Sequence, residues 1–211
     1  MSVFPKTLLW RRLDTTGAEQ VLFDDGAGLR ATGTVLAADP VPYTCEYELA
    51  TDDRWATARF EATVEGAGFL RKVRVEHAAG RWRVTAGEQG DLDAALRAAG
   101  HPRAPLPGSE DPDELGSAFD VDLGYSPLTN TLPIRRLGLL DAEPGTTRSI
   151  LAVWVVVPSL AVIGATQAYT VLGPGSIRYS SGSFTADLTV DADGYVLHYP
   201  GLAEAGVLPP T

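Results

Sequence analysis

Apolar and polar residues alternate with period two along much of this 211-residue chain, the spacing of strands that bury one face and wet the other. From Ala58 to Glu65, Phe60, Ala62 and Val64 share one face; Arg59, Glu61, Thr63 and Glu65 share the other. Gly66-Ala67-Gly68 breaks the run. Val73 and Val75 then alternate with Lys72, Arg74 and Glu76, Ala79-Gly80 turns the chain, and Trp82 and Val84 alternate with Arg81 and Arg83. This pattern predicts a three-stranded antiparallel meander. Near the C-terminal end Phe184, Ala186, Leu188 and Val190 alternate with Thr185, Asp187, Thr189 and Asp191. Asp191-Ala192-Asp193-Gly194 reads as a turn, Tyr195, Leu197 and Tyr199 as the returning strand, and Pro200-Gly201 as its end. Cys45 alternates with Tyr43 and Tyr47 and is expected to be a buried, small apolar residue.

Other stretches depart from strict alternation. Ile150–Ile163 is the most apolar run, is interrupted by Pro158 and Ser159, and reads as two buried strands too short to span a bilayer. Only Asp91–Gly100 looks helical, with an Asp to cap its start and a Gly to end it. His101–Ser117 is rich in Pro, Gly, Asp and Glu and is expected to be an exposed, mobile linker.

The chain also matches itself. Thr7-Leu8-Leu9-Trp10-Arg11-Arg12-Leu13 resembles Thr131-Leu132-Pro133-Ile134-Arg135-Arg136-Leu137. The same offset pairs Arg54 with Arg178, Trp55 with Tyr179, Phe60 with Phe184, Ala62 with Ala186 and Val64 with Leu188. The expectation is an all-β fold: a large antiparallel barrel, open or closed, in one domain over residues 1–211. Two pseudo-symmetric halves, about 7–90 and 131–211, would flank a linker or insertion at about 97–117, with at most one short helix. Each half would hide its edge and apolar face against the other, around space able to hold a ligand.

Composition narrows the function. Lys and Arg total 17 against 27 Asp and Glu, a net charge of −10. So acidic a surface repels nucleic acid and anionic membranes. One cysteine cannot form an internal disulfide, and Met1–Trp10 lacks the apolar core of a signal peptide, so a soluble cytoplasmic protein without a transmembrane segment is expected. His77, His101 and His198 show no metal-ligand spacing, and there is no P-loop, dinucleotide fingerprint, nucleophile elbow or HExxH. Neither metal nor cofactor is expected.

The densest chemistry lies in Asp120–Leu137: two carboxylates, a Gly-Tyr-Ser-Pro turn, Thr129-Asn130-Thr131 and an arginine pair. This segment resembles the signature of a bacterial family of "putative glycolipid-binding" proteins. Trp10-Arg11-Arg12-Leu13, Gln167-Ala168-Tyr169-Thr170, Phe184–Asp191 and Tyr199-Pro200-Gly201-Leu202 carry further pieces of the resemblance, which spans nearly the whole chain and departs at Leu96–Ser117. It implies an open β-barrel akin to bacterial lipoprotein carriers and a lipid-like or glycolipid ligand.

The residues themselves suit an amphiphile. Arginine offers a planar fork of donors, and tyrosine and tryptophan offer an apolar body with a polar tip. The candidate ligand-binding residues are Trp10, Arg11, Tyr125, Thr129, Asn130, Arg135, Arg136, Tyr169, Arg178 and Tyr179, and no catalytic residue is assigned. A plainer reading stays open: one arginine of the pair solvated and the other bound to Asp120 or Asp122, with Thr129-Asn130-Thr131 a turn. Two other functions also stay open. Asp120, Asp122 and Asp187 suggest a hydrolase-type enzyme if two of them share a buried cleft. An exposed Ile150–Val157 run would suit a protein-interaction module. The chain is expected to act as a monomer or homodimer.

Overall fold

The computed structural model describes residues 6–109 and 111–206, and in it the alternating runs become fourteen strands of one continuous sheet. The N-terminal half is a seven-stranded antiparallel meander: β1 (Lys6–Arg12), β2 (Gly17–Asp24), β3 (Arg30–Ala37), β4 (Tyr43–Thr51), β5 (Thr57–Gly66), β6 (Phe69–Ala78) and β7 (Arg81–Gly90). A short helix, α1 (Leu92–Ala98), follows; the Asp91 carboxylate caps it by accepting from the Ala94 N–H at 2.8 Å. The C-terminal half comprises β8 (Asp120–Leu123), helix α2 (Pro127–Arg136), β9 (Thr147–Val156), β10 (Ala161–Gly173), β11 (Ser176–Ser181), β12 (Phe184–Val190), β13 (Val196–Tyr199) and β14 (Ala203–Ala205).

The sheet order is β7-β6-β5-β4-β3-β2-β1-β14-β13-β12-β11-β10-β9-β8. β14 pairs with β1 through Trp10 opposite Ala205 and Arg12 opposite Ala203, which joins the halves at the sheet's centre. β8 runs parallel to β9, with α2 in the connection between them. β7 and β8 are the two edges, so the sheet curls without closing: the architecture is an all-β open barrel. Among the described residues no helix is long and apolar enough to cross a membrane.

One face of the meander is buried because its residues alternate as expected. Val21, Tyr43, Cys45, Tyr47, Phe60, Val64 and Val75 pack together inside the N-terminal half. Gly33 lies opposite Tyr47 and leaves room for its ring; a Cβ there would sit 2.1 Å from a ring carbon. Ile150–Ile163 forms the end of β9 and the start of β10 around Pro158, and Ala152, Val153 and Val155 are buried. No residue of Ile150–Val157 is exposed, so that stretch offers no docking face, although Ile163 is 46% exposed.

Three sequence expectations need correction. First, a second helix exists. Thr129-Asn130-Thr131 lies inside α2, and Arg135 and Arg136 end it, where a strand or turn was expected. Threonine, asparagine and two prolines hide a helix from a propensity reading. Pro127 nonetheless starts it, Leu128 and Leu132 are four apart and fully buried, and Gly138 follows it with φ 63°.

Second, the two repeat blocks fare differently. Thr7–Leu13 forms β1 and its end, whereas Thr131–Leu137 forms α2 and its end, so their similarity is not structural. In the other block Phe60–Val64 of β5 and Phe184–Leu188 of β12 align strand with strand, with Ala62 and Ala186 both buried, whereas Arg54 and Trp55 lie in the turn before β5 and Arg178 and Tyr179 lie in β11.

Third, the expected linker is a fitted strap across the open seam. The Arg71 guanidinium donates to the Pro105 carbonyl at 2.6 Å and the Ser159 carbonyl at 3.0 Å. Gly108 bonds Leu160 and Val162, the Trp82 indole donates to the Ala118 carbonyl, and Leu115 is buried in a 3-10 turn. The Thr57 N–H bonds the Phe119 carbonyl, tying β5 to the start of β8. Most of its side chains are exposed as expected, Leu106 at 72%, so what differs from the expectation is its anchoring and not its exposure. Residue 110 of this segment lies outside the described residues, as do residues 1–5, on which part of the signal-peptide reading rests.

Candidate ligand-binding site

Buried polar groups concentrate where β8 hands the chain to α2. In β8, Val121 and Leu123 point to one side and Asp120 and Asp122 to the other, toward the helix. Tyr125 then takes a positive φ of 66°, an uncommon and strained conformation for a large side chain. The tight turn, closed by the Ser126 N–H on the Leu123 carbonyl at 3.0 Å, lets α2 double back along the sheet's concave face.

The two carboxylates have different fates. Asp120 accepts a bidentate pair of bonds from Arg136, at 2.9 and 2.5 Å, and its charge is matched. Asp122 has no cation. It accepts from the Thr129 hydroxyl at 3.1 Å and from the Gln167 amide at 2.6 Å. Burial pushes its pKa up to about 6, with those two bonds opposing the shift. The network continues: the Asn130 amide donates to the Tyr169 hydroxyl at 3.0 Å, and that hydroxyl donates to the Gln167 carbonyl oxygen at 3.3 Å.

Asp122, Asn130 and Gln167 form the floor of a cavity of about 390 Å³ on the concave face of the C-terminal half. Trp154, Tyr179, Phe184, Tyr199 and Leu202 wall it, and the Gly124-Tyr125-Ser126 and Ser181-Gly182 turns complete its lining. Tyr125 and Phe184 are 48% and 49% exposed, so the cavity opens to solvent past two aromatic rings. Other hollows lie elsewhere: one lined by Gln20, Thr32, Glu46 and Glu61 on β2–β5, and one between Pro105–Ser109 and the start of β10.

A second buried carboxylate sits on the other side of the same turn. Glu19 of β2 is fully buried and accepts from the Tyr47 hydroxyl at 2.5 Å and the Ser126 hydroxyl at 2.6 Å. Ser126 therefore leaves the start of α2 without a side-chain cap. Burial drives the Glu19 pKa up to about 7, against the two bonds and the nearby Arg12. Arg12 itself is held by Asp14 at 2.6 and 2.5 Å and lies over the Tyr125 ring at 4.7 Å.

Of the residues expected to bind ligand, Tyr125, Asn130 and Tyr179 line this cavity, and Thr129 and Tyr169 support it through the hydrogen bonds above. The arginines go elsewhere. Arg135 stacks on Trp55 at 4.5 Å and donates to the Asp193 carbonyl, Arg136 is held by Asp120, and Arg178 pairs with Asp187 among exposed side chains. Arg11 is exposed beside Glu204, and Trp10 is fully buried with its indole N–H on the Val196 carbonyl. The expected arginine-lined mouth is absent because the arginine pair ends a helix and does not project from a strand. Asp122, Trp154, Gln167, Phe184, Tyr199 and Leu202 were not on the expected ligand-binding list. All but Trp154 belong to the segments that carry the family resemblance, and that was the available signal.

Comparison with known proteins agrees with that resemblance. Residues 7–205 match the model of a family described as "Putative glycolipid-binding". The fold is similar to the crystal structure of a DUF1089 family protein from Pseudomonas aeruginosa, with a TM-score of 0.66 and 28% sequence identity over 88% of this chain and 91% of that one. No curated protein matches.

Proposed function

This chain belongs to the putative glycolipid-binding family, and from that premise we propose that it binds a lipid-like ligand, a glycolipid in the first instance, in the cavity between α2 and the C-terminal half of the sheet. One observation carries the reading: a solvent-accessible hollow with four aromatic walls and a buried carboxylate–amide floor. Apolar walls with a few convergent polar groups are the usual build of a small-molecule site. A volume of about 390 Å³ takes a head group and the first part of a chain, so the rest of a long lipid lies at or beyond the mouth. Cytoplasmic placement and carriage of the ligand belong to the same proposal.

The hydrolase alternative needs a carboxylate pair across the cavity. Asp122 lines it, whereas Asp120 is committed to Arg136 and Asp187 lies exposed beside Arg178. A binding role is therefore the better fit.

Titration with octyl glucoside below its micellar concentration, followed by calorimetry and tryptophan fluorescence, tests the reading. Saturable binding is expected, and Ser181→Trp, which fills the cavity at its rim, is expected to abolish it. Absence of saturable binding, or full binding by the filled variant, sinks the proposal.

A further inference from the structure

We infer that the head group held in this cavity is an uncharged polyol of the sugar type, and that Asp122 sets that selectivity by repelling anionic heads. This rests on the binding role proposed above and goes further by choosing a ligand class.

No Lys, Arg or His is among the cavity's lining residues. Arg12, which lies over the lining residue Tyr125, is already paired with Asp14, and Arg136 is paired with Asp120. A phosphate or carboxylate head would thus enter a partly desolvated space that contains a carboxylate and offers it no cation, which is costly at short range. Apart from the Trp154 indole N–H, which only donates, the remaining polar groups are the Asn130 and Gln167 amides, the Ser126 and Ser181 hydroxyls and three tyrosine hydroxyls. Each of these both donates and accepts hydrogen bonds. Hydroxyl groups do the same, so a ring bearing several of them can satisfy such a set from both sides.

A quaternary ammonium head suits aromatic faces, but it neither donates nor accepts hydrogen bonds and would leave the second N–H of the Asn130 and Gln167 amides without a partner. Asp122 accepts one bond on each oxygen, which leaves further lone pairs for hydroxyl donors. Trp154, Tyr179, Phe184 and Tyr199 supply flat apolar faces against which the C–H face of a sugar ring can lie.

The test uses the whole chain and three amphiphiles with one tail: octyl glucoside, octyl phosphate and octyltrimethylammonium, each titrated below its micellar concentration by calorimetry. Octyl glucoside is expected to bind at least about tenfold more tightly than either charged analogue. Asp122→Asn is expected to narrow the glucoside-to-phosphate ratio to within about threefold, with near-ultraviolet circular dichroism reporting that the fold is retained. Ser181→Lys, which places a cation at the rim, is expected to narrow the same ratio without touching the floor.

Octyl phosphate or octyltrimethylammonium binding as tightly as the glucoside overturns the selectivity while leaving the binding role intact. An unchanged ratio in both variants overturns the part given to Asp122. Failure of all three amphiphiles to bind overturns the binding role and the selectivity together.

Discussion

The two halves of the barrel bury the same kind of group and use it differently. Glu19 is a fully buried carboxylate and Asp122 a half-buried one; neither pairs with a cation among the described residues, and burial raises both pKa values. In the N-terminal half Glu19 is boxed in by Tyr47 and Ser126 and by rings and aliphatic side chains packed around it. In the C-terminal half Asp122 meets a hollow of about 390 Å³. The sheet is the same in both, so the difference comes from what lies on its concave face. Aromatic and β-branched side chains fill one half, whereas in the other α2 packs on β8 and β13 and a hollow remains beside it. A buried charge in a filled space is a structural cost, whereas one beside an open space is available to a ligand.

The sharpest way to break this comparison is to truncate one aromatic ring in each half. Phe60 begins the apolar alternation of β5 and Phe184 that of β12, yet Phe60 is 0% exposed and Phe184 is 49% exposed. Phe60→Ala is expected to cost about 3–5 kcal/mol in urea unfolding, the usual range for a buried phenylalanine. Phe184→Ala is expected to cost less than about 1 kcal/mol and to weaken amphiphile binding instead. Equal losses of stability would erase the distinction between a packed half and a hollow one.

A smaller effect separates the carboxylates by pH. Folded Glu19 keeps its proton up to about pH 7, whereas its ordinary value is 4.5. The unfolded chain therefore releases this proton first as pH rises. The contribution of Glu19 to stability is complete below about pH 4.5 and is lost as pH climbs through 7. Glu19→Gln keeps an acceptor for Tyr47 and Ser126 without the charge. It is expected to stabilise the protein by about 1–3 kcal/mol at pH 8 and to flatten the slope of stability between pH 5 and pH 8. Urea melts at three pH values check it, and a variant with the wild-type slope would refute the assignment.

Least of all should change at the outer surface. Arg178→Ala removes an exposed pair with Asp187 and is expected to leave both the melting temperature and octyl glucoside affinity unchanged within error. A clear loss of affinity would move the binding site out of the cavity.

Much of the strand content was legible because alternation is a local signal. Tyr43, Cys45 and Tyr47 share the buried face expected of them, and Asp191–Gly194 makes its turn. The helix α2 was not legible, since Pro133 and three hydroxyl or amide residues argue against it locally, and burial against β8 and β13 overrides them. That one misreading displaced the arginines of the expected site. Asn130, Tyr125 and Tyr179 were found by their chemistry. The floor partner Gln167 and the walls Phe184 and Tyr199 come from three separate strands, and nothing in their local spacing says that they meet.

The strap over residues 101–118 has a consequence for the shape of the whole molecule. Every neighbouring pair of strands in the sheet is fixed by a backbone ladder, which moves only in whole-residue steps. Across the gap between β7 and β8, by contrast, the closure is made by Arg71, Trp82, Thr57 and a single bridge at Gly108. A fastening of that kind can be let out or taken in by changing a few side chains or the length of one loop. The girth of the barrel is thus set by its most easily altered segment, with every strand register left as it stands.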